Sequence, residues 1–118
     1  PKLWQDVSEG IAAFFEDLHA HGEGENVVMY LFSEFGRRVR DNGSGTDHGA
    51  AGVAFAIGDT VKGGMYGQYP SRKAEDLEQG DLVPNYDFRG LYTTLVEDHF
   101  GLDAKPIVNG NFEKHSFL

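Results

Sequence analysis

Between Leu3 and Leu18 the apolar residues Leu3, Trp4, Val7, Ile11, Phe14, Phe15 and Leu18 recur at the spacing of one helical face. Gln5, Asp6, Glu9, Glu16 and Asp17 fall mostly on the other side. The pattern predicts a surface helix covering a sheet, weakened at Gly10 by roughly 1 kcal/mol relative to Ala and stopped at Ala20-His21-Gly22-Glu23-Gly24. Val27 to Phe32 follows as an unbroken apolar run, which predicts a central strand buried on both faces in a parallel or mixed sheet. Glu34 to Gly52 then carries Arg37, Arg38, Arg40 and the polar Asp41-Asn42-Gly43-Ser44-Gly45, and reads as a long functional loop outside the core.

Val53 to Ile57 predicts a second short strand, and Val61 to Gly67 a hairpin or tight bend in which Gly63-Gly64 allow positive φ. Ser71 to Gly80 is a polar, acidic excursion. Asp87 can cap a helix whose apolar face is Phe88, Leu91, Tyr92, Leu95 and Val96 and whose stop is His99-Phe100-Gly101. The tail offers Ile107, Phe112, Phe117 and Leu118 for docking on the body. Helix, strand, loop, strand, bend and helix make an α/β layered pattern with few strands of its own.

With 118 residues the chain is one domain at most, large enough for a core but small for a complete hydrolase or dehydrogenase. It opens at Pro1-Lys2-Leu3-Trp4 with neither Met nor a signal-peptide pattern, and reads as the inside of a longer polypeptide. Asp and Glu number 19 against 10 Lys and Arg, a net charge of -9, which argues against a nucleic-acid backbone as the partner. No apolar stretch reaches the roughly 18 to 20 residues that span a bilayer. The absence of cysteine rules out disulfides, thiolate metal ligands and a cysteine nucleophile.

The candidate chemistry lies in two motifs on either side of the glycine-rich stretch: Ser33-Glu34-Phe35-Gly36-Arg37 and Gly45-Thr46-Asp47-His48-Gly49. Asp47 and His48 combine a carboxylate with an imidazole, both ligands for divalent ions near neutral pH. The alternative is a turn Asp beside a solvent-exposed His. Adjacent residues on an extended chain point to opposite sides, so one of the two is expected at the metal, with His48 the better choice. Glu34 sits at the presumed C-terminal end of a strand, where open α/β sheets place ligands; it could equally be an acid complementing the dipole of a following turn. Arg37 could grip a phosphate, sulfate or carboxylate through paired hydrogen bonds, or be merely solvated. His19, His21, His99 and His115 read as helix-end or surface histidines. Asp41 to Asp47 lacks the glycine and terminal Glu of a calcium-binding EF-hand.

Together with Val61-Lys62-Gly63-Gly64-Met65-Tyr66-Gly67 and Asp87-Phe88-Arg89, the segments Phe32 to Val39 and Asn42 to Gly49 resemble the C-terminal part of the DUF1501 family, from about Asn26 to Leu118. The family, bacterial and largely uncharacterised, with many members bearing an export signal, is similar in fold to the alkaline phosphatase and sulfatase superfamily. The resemblance implies an α/β fold, a partial mixed-sheet layered sandwich like the C-terminal part of the alkaline phosphatase fold, and an extracytoplasmic or periplasmic setting. It implies one or two divalent metal ions as cofactor and an anionic ester substrate. It also implies a Ser, Thr or modified Cys nucleophile in a preceding half, or in a partner chain. Within this chain no catalytic residue is assigned. Glu34-Phe35-Gly36 corresponds to the superfamily's Asp-His-Gly unit and His48 to a later ligand His. Glu34 and His48, with Asp47 assisting, become the expected metal residues, and Arg37 the expected substrate-binding one. Phe35 departs from the pattern, standing where a ligand His would stand. A protein that kept this fold and lost the chemistry, acting in binding or structure and needing a partner chain or oligomer to cover its exposed strand edges, is the competing reading.

Overall fold

The computed structural model describes residues 2–118. Helix α1 spans Lys2–Ala20 and ends in a Schellman motif: Gly22 turns left-handed at φ 72°, the Glu23 N–H reaches the Leu18 carbonyl at 2.9 Å and the Gly22 N–H reaches His19 at 3.1 Å. His19, in the last turn, holds Asp59 at 2.9 Å and so ties the end of α1 to the segment after Ile57. Both α1 and its stop lie where the apolar spacing puts them.

The predicted central strand is shorter than its apolar run. Strand β1 covers Met29–Leu31 and pairs antiparallel with β4, Phe55–Ile57, matching Met29 to Ile57, Tyr30 to Ala56 and Leu31 to Phe55. All three β1 residues are half-buried, which corrects the expectation of a strand buried on both faces of a parallel or mixed sheet. The sheet here is two-stranded and antiparallel. Each face still meets a helix. Phe55 contacts Trp4 of α1, centroids 6.4 Å apart, and Tyr30, whose side chain alternates to the other face, meets Tyr92 at 5.9 Å. Burial, and then the neighbouring Tyr92, push the Tyr30 hydroxyl up from its ordinary pKa.

Tyr92 belongs to α2, Phe88–Thr94, capped as expected by the Asp87 carboxylate on the Arg89 N–H at 2.9 Å. The helix then widens into a π turn over Leu95–His99, with the Phe100 N–H bonded to the Leu95 carbonyl, before Gly101 ends it at φ 66°. Behind α2 lie α3, Lys105–Val108, and the tail. Here Ala104, Val108 and Phe117 are buried, and Thr94 is fully enclosed. The Thr94 hydroxyl donates to the Gly90 carbonyl and accepts the His115 N–H, both at 2.9 Å. His115 is therefore a buried residue, its ring 4.8 Å from that of Tyr86, and the surface reading of it is corrected. Phe117 is docked by its carbonyl on the Lys62 N–H at 2.8 Å. Gly63 and Gly64 take no positive φ, and the 61–67 segment forms bends; Gly67 supplies the left-handed residue, at φ 123°.

The molecule is a mixed α/β structure with small antiparallel sheets. Its radius of gyration, 16.8 Å, exceeds the roughly 13 to 14 Å of a compact domain of this length. The extents are 49 × 39 × 22 Å. Its accessible surface, 8703 Å², is about 2,400 Å² more than a monomer of this mass ordinarily exposes. Much of that surface is apolar: Leu3 is 80% and Trp4 61% exposed, and Phe14, Phe32 and Phe88 are open too.

Candidate functional site

The segment expected to be a loop is a β-hairpin. Strand β2, Gly36–Asp41, pairs antiparallel with β3, Thr46–Gly49. The two motifs are its arms: Gly36 lies opposite Gly49 and Arg37 opposite His48. From Arg37 to Asp41 is four steps on β2, but the partners His48 and Thr46 are two steps apart, so β2 bulges between them. At the tip, Gly43 and Gly45 have φ of 95° and 146°. The Asp41 carboxylate accepts the Gly43 N–H at 2.6 Å, and the Asn42 side-chain oxygen accepts the Ser44 N–H at 3.0 Å. This local chemistry turns the chain without a core to fold around.

Both motif glycines are there for close approach. A Cβ on Gly49 would come within 2.8 Å of the Arg37 carbonyl carbon and 2.6 Å of the Asp81 carboxylate, and one on Gly36 would overlap the Ala51 carbonyl. Directly opposed residues share a face, so Arg37 and His48 project together. Phe35 joins them, its ring stacked on the His48 imidazole with centroids 3.5 Å apart and planes at 17°. The Arg37 guanidinium carbon lies 5.4 Å from the Phe35 centroid, and its Nη1 donates to the Thr46 carbonyl at 2.8 Å. Phe35, Arg37 and His48 form one aromatic and cationic cluster.

The other expected residues are placed differently. The Asp47 carboxylate accepts from Asn42 Nδ2 at 2.8 Å and is engaged by the hairpin tip. Glu34 lies exposed just before β2, its carboxylate accepting from Ser33 Oγ at 3.3 Å. Among the described residues no three His, Asp or Glu side chains group closely enough to hold a metal ion. Glu34, Asp47 and His48 are the carboxylate and imidazole groups of the two motifs. A surface depression of about 530 Å³ is lined in part by Asp98, His99 and Phe100 and by none of the motif residues.

The strongest charge coupling lies away from the hairpin. Hydrogen bonds from the Arg89 guanidinium, and then from its backbone N–H, hold the Asp87 carboxyl down at about 2, and Asp87 in turn raises Arg89. Arg89 also lies over the Phe112 ring at 4.0 Å, which binds the start of α2 to the tail. Asp98 and Glu97 likewise raise Lys114.

Sequence reasoning missed Arg38 and the segment Glu78 to Asp81. Arg38 Nη2 donates to the Gln79 carbonyl, and both Asp81 carboxylate oxygens accept the Ala50 N–H at 3.1 Å. A Gln79-Gly80 pair between two acidic residues is a two-residue turn signal, but without flanking apolar strands it does not stand out. Compared with curated proteins and with solved structures, the chain gives no match. Residues 1–112 match the model of the family described as a protein of unknown function, DUF1501, and the chain belongs to that family.

Proposed function

We propose that this chain is the C-terminal portion of a metal-dependent phosphatase- or sulfatase-like hydrolase of the alkaline phosphatase-like fold, catalytically incomplete by itself. The observation that carries the reading is the hairpin, which sets Arg37 directly opposite His48 and leaves Glu34 at its entrance. A guanidinium beside an imidazole, with a carboxylate at the hairpin entrance, suits an anionic ester held near a divalent ion. Glu34 and His48 would hold the ion, with Asp47 orienting or assisting, and Arg37 would receive an ester oxygen. Such an ion, when bound, supplies Lewis-acid polarisation and an activated nucleophile. The remaining ligands and the nucleophile would come from a preceding α/β segment or a partner chain. The uncovered apolar residues of α1 and β4, among them Trp4 and Phe55, are where such a body would pack.

The test is turnover by the full-length protein with Mn²⁺ or Zn²⁺ and aryl phosphate or aryl sulfate esters. Glu34→Ala and His48→Ala are each expected to lower kcat by about 100-fold or more, on the scale of a lost electrostatic contact, with an unchanged melting temperature. Full turnover in both variants defeats the proposal.

One observation favours a second reading, a binding or structural protein without catalysis: Phe35, the residue standing where a ligand His would stand, is packed on the His48 imidazole as an apolar neighbour. Under that reading no ester is turned over. Arg37→Ala then weakens binding of a sulfated or phosphorylated carbohydrate, whereas His48→Ala leaves it intact.

A further inference from the structure

We infer that Asp81, acting with Arg38, is the positioning residue that fixes the register of the β2–β3 hairpin and hence the place of His48 beside Arg37; the functional part of this inference rests on the hydrolase reading above. The hairpin needs an external reference. Strand β3 has four residues, β2 bulges against it, and most of β2 is exposed, so no buried stripe of alternating side chains selects one pairing over the next. In such a ribbon a one-residue slip would turn His48 to the opposite face.

The Glu78–Asp81 segment supplies the reference. Gln79 and Gly80 are both left-handed, at φ 52° and 83°, and close a two-residue hairpin turn. Its ends are doubly bonded, from the Asp81 N–H to the Glu78 carbonyl at 2.9 Å and from the Glu78 N–H to the Asp81 carbonyl at 3.0 Å. This rigid turn holds both hairpin arms at once. Arg38 on β2 donates to the Gln79 carbonyl, and Ala50, the residue after β3, donates to both Asp81 oxygens. Asp81 Oδ1 also accepts the Leu82 N–H at 2.9 Å, which fixes its own orientation. The carboxylate can come this close only because Gly49 has no side chain: a Cβ there would lie 2.6 Å from Oδ1. A charged acceptor on the amide that ends β3 is the stronger kind of hydrogen bond. It acts two residues from His48.

The test compares Asp81→Ala and Asp81→Asn in the full-length protein. It reads the His48 ring-proton resonances, the affinity for Mn²⁺ alone, and the melting temperature. Stacking on Phe35 shifts the His48 protons upfield. In Asp81→Ala they are expected to return to unstacked values, and Mn²⁺ affinity to fall by about 10- to 100-fold, the usual effect of losing a group that orients a ligand. Asn retains Oδ1 as a weaker, neutral acceptor for Ala50 and Leu82, so Asp81→Asn is expected to restore most of both readouts. Unchanged His48 resonances in Asp81→Ala overturn the inference. So does an equal loss of resonances and melting temperature in both variants, which would make Asp81 a general structural residue. If the unaltered protein binds no Mn²⁺, the metal reading fails separately, and the His48 resonances alone still decide the role of Asp81.

Discussion

Replacing Gly49 by Ala adds one methyl group at the tightest point of the hairpin. Its Cβ would lie 2.6 Å from Asp81 Oδ1, 2.8 Å from the Arg37 carbonyl carbon and 2.9 Å from the Arg38 nitrogen. Ordinary contacts of this kind are about 3.5 Å, so the methyl must displace its neighbours by roughly 0.6 to 0.9 Å. Two of the three atoms are backbone on the partner strand and cannot rotate aside. The third is the carboxylate that holds Ala50. Overpacking typically costs about 1 to 3 kcal/mol, and the rigidity of these neighbours puts Gly49→Ala near the upper end. At about 4 °C per kcal/mol for a domain of this size, the melting temperature should fall by roughly 8 to 12 °C. Gly43→Ala is the control: a Cβ there meets nothing within 4 Å, and the cost is only that of a left-handed residue at φ 95°, about 1 to 2 kcal/mol. Urea denaturation followed by circular dichroism measures both. A midpoint for Gly49→Ala at or above that of Gly43→Ala would refute the close-packing argument.

Gly10, in the middle of α1 with open space around its Cα, should gain about 1 kcal/mol on replacement by Ala, read as a rise of a few degrees in melting temperature; a fall would mean that this face of α1 is covered. The Asp87 carboxyl titrates at about 2 in the folded chain against an ordinary 3.8. A depressed carboxyl adds stability above its unfolded pKa, so the Asp87 contribution should be complete above about pH 4 and be lost as pH falls through 2. The stability difference between the unaltered protein and Asp87→Asn, followed from pH 5 to pH 2, should therefore shrink with acid; a constant difference contradicts the Asp87–Arg89 pairing. Phe35→Ala should move the His48 ring protons downfield, and no movement would dissolve the Phe35–His48 stack.

What was legible in the sequence was what local pattern decides. The period of Leu3 to Leu18, the Asp87 cap and the Val53 to Ile57 run each specify an element from neighbouring residues alone, although the last is a strand only over Phe55–Ile57. Val27 to Phe32 does not alternate, which predicts burial on both faces, yet only Met29–Leu31 pairs, with a single partner strand and a helix against each face. The β2–β3 hairpin was hidden because Arg37-Arg38-Val39-Arg40 carries no apolar alternation; backbone pairing, tip glycines and Asp81 define it instead. His115 is buried where its N–H meets the Thr94 hydroxyl, 21 positions away in sequence, and this leaves no local trace. The motif residues were found by chemical type. Their arrangement was legible only in part: alternation along the chain already separates His48 from Asp47, but the pairing that sets Arg37 opposite His48 is not local.

Anomalous scattering from crystals of the full-length protein grown with Mn²⁺ would locate a bound ion directly. A peak bonded to both the Glu34 carboxylate and a His48 ring nitrogen, with Arg37 alongside, is the result expected of the hydrolase reading. Ordered Glu34 and His48 side chains in a crystal at saturating Mn²⁺ with no peak at either would contradict it.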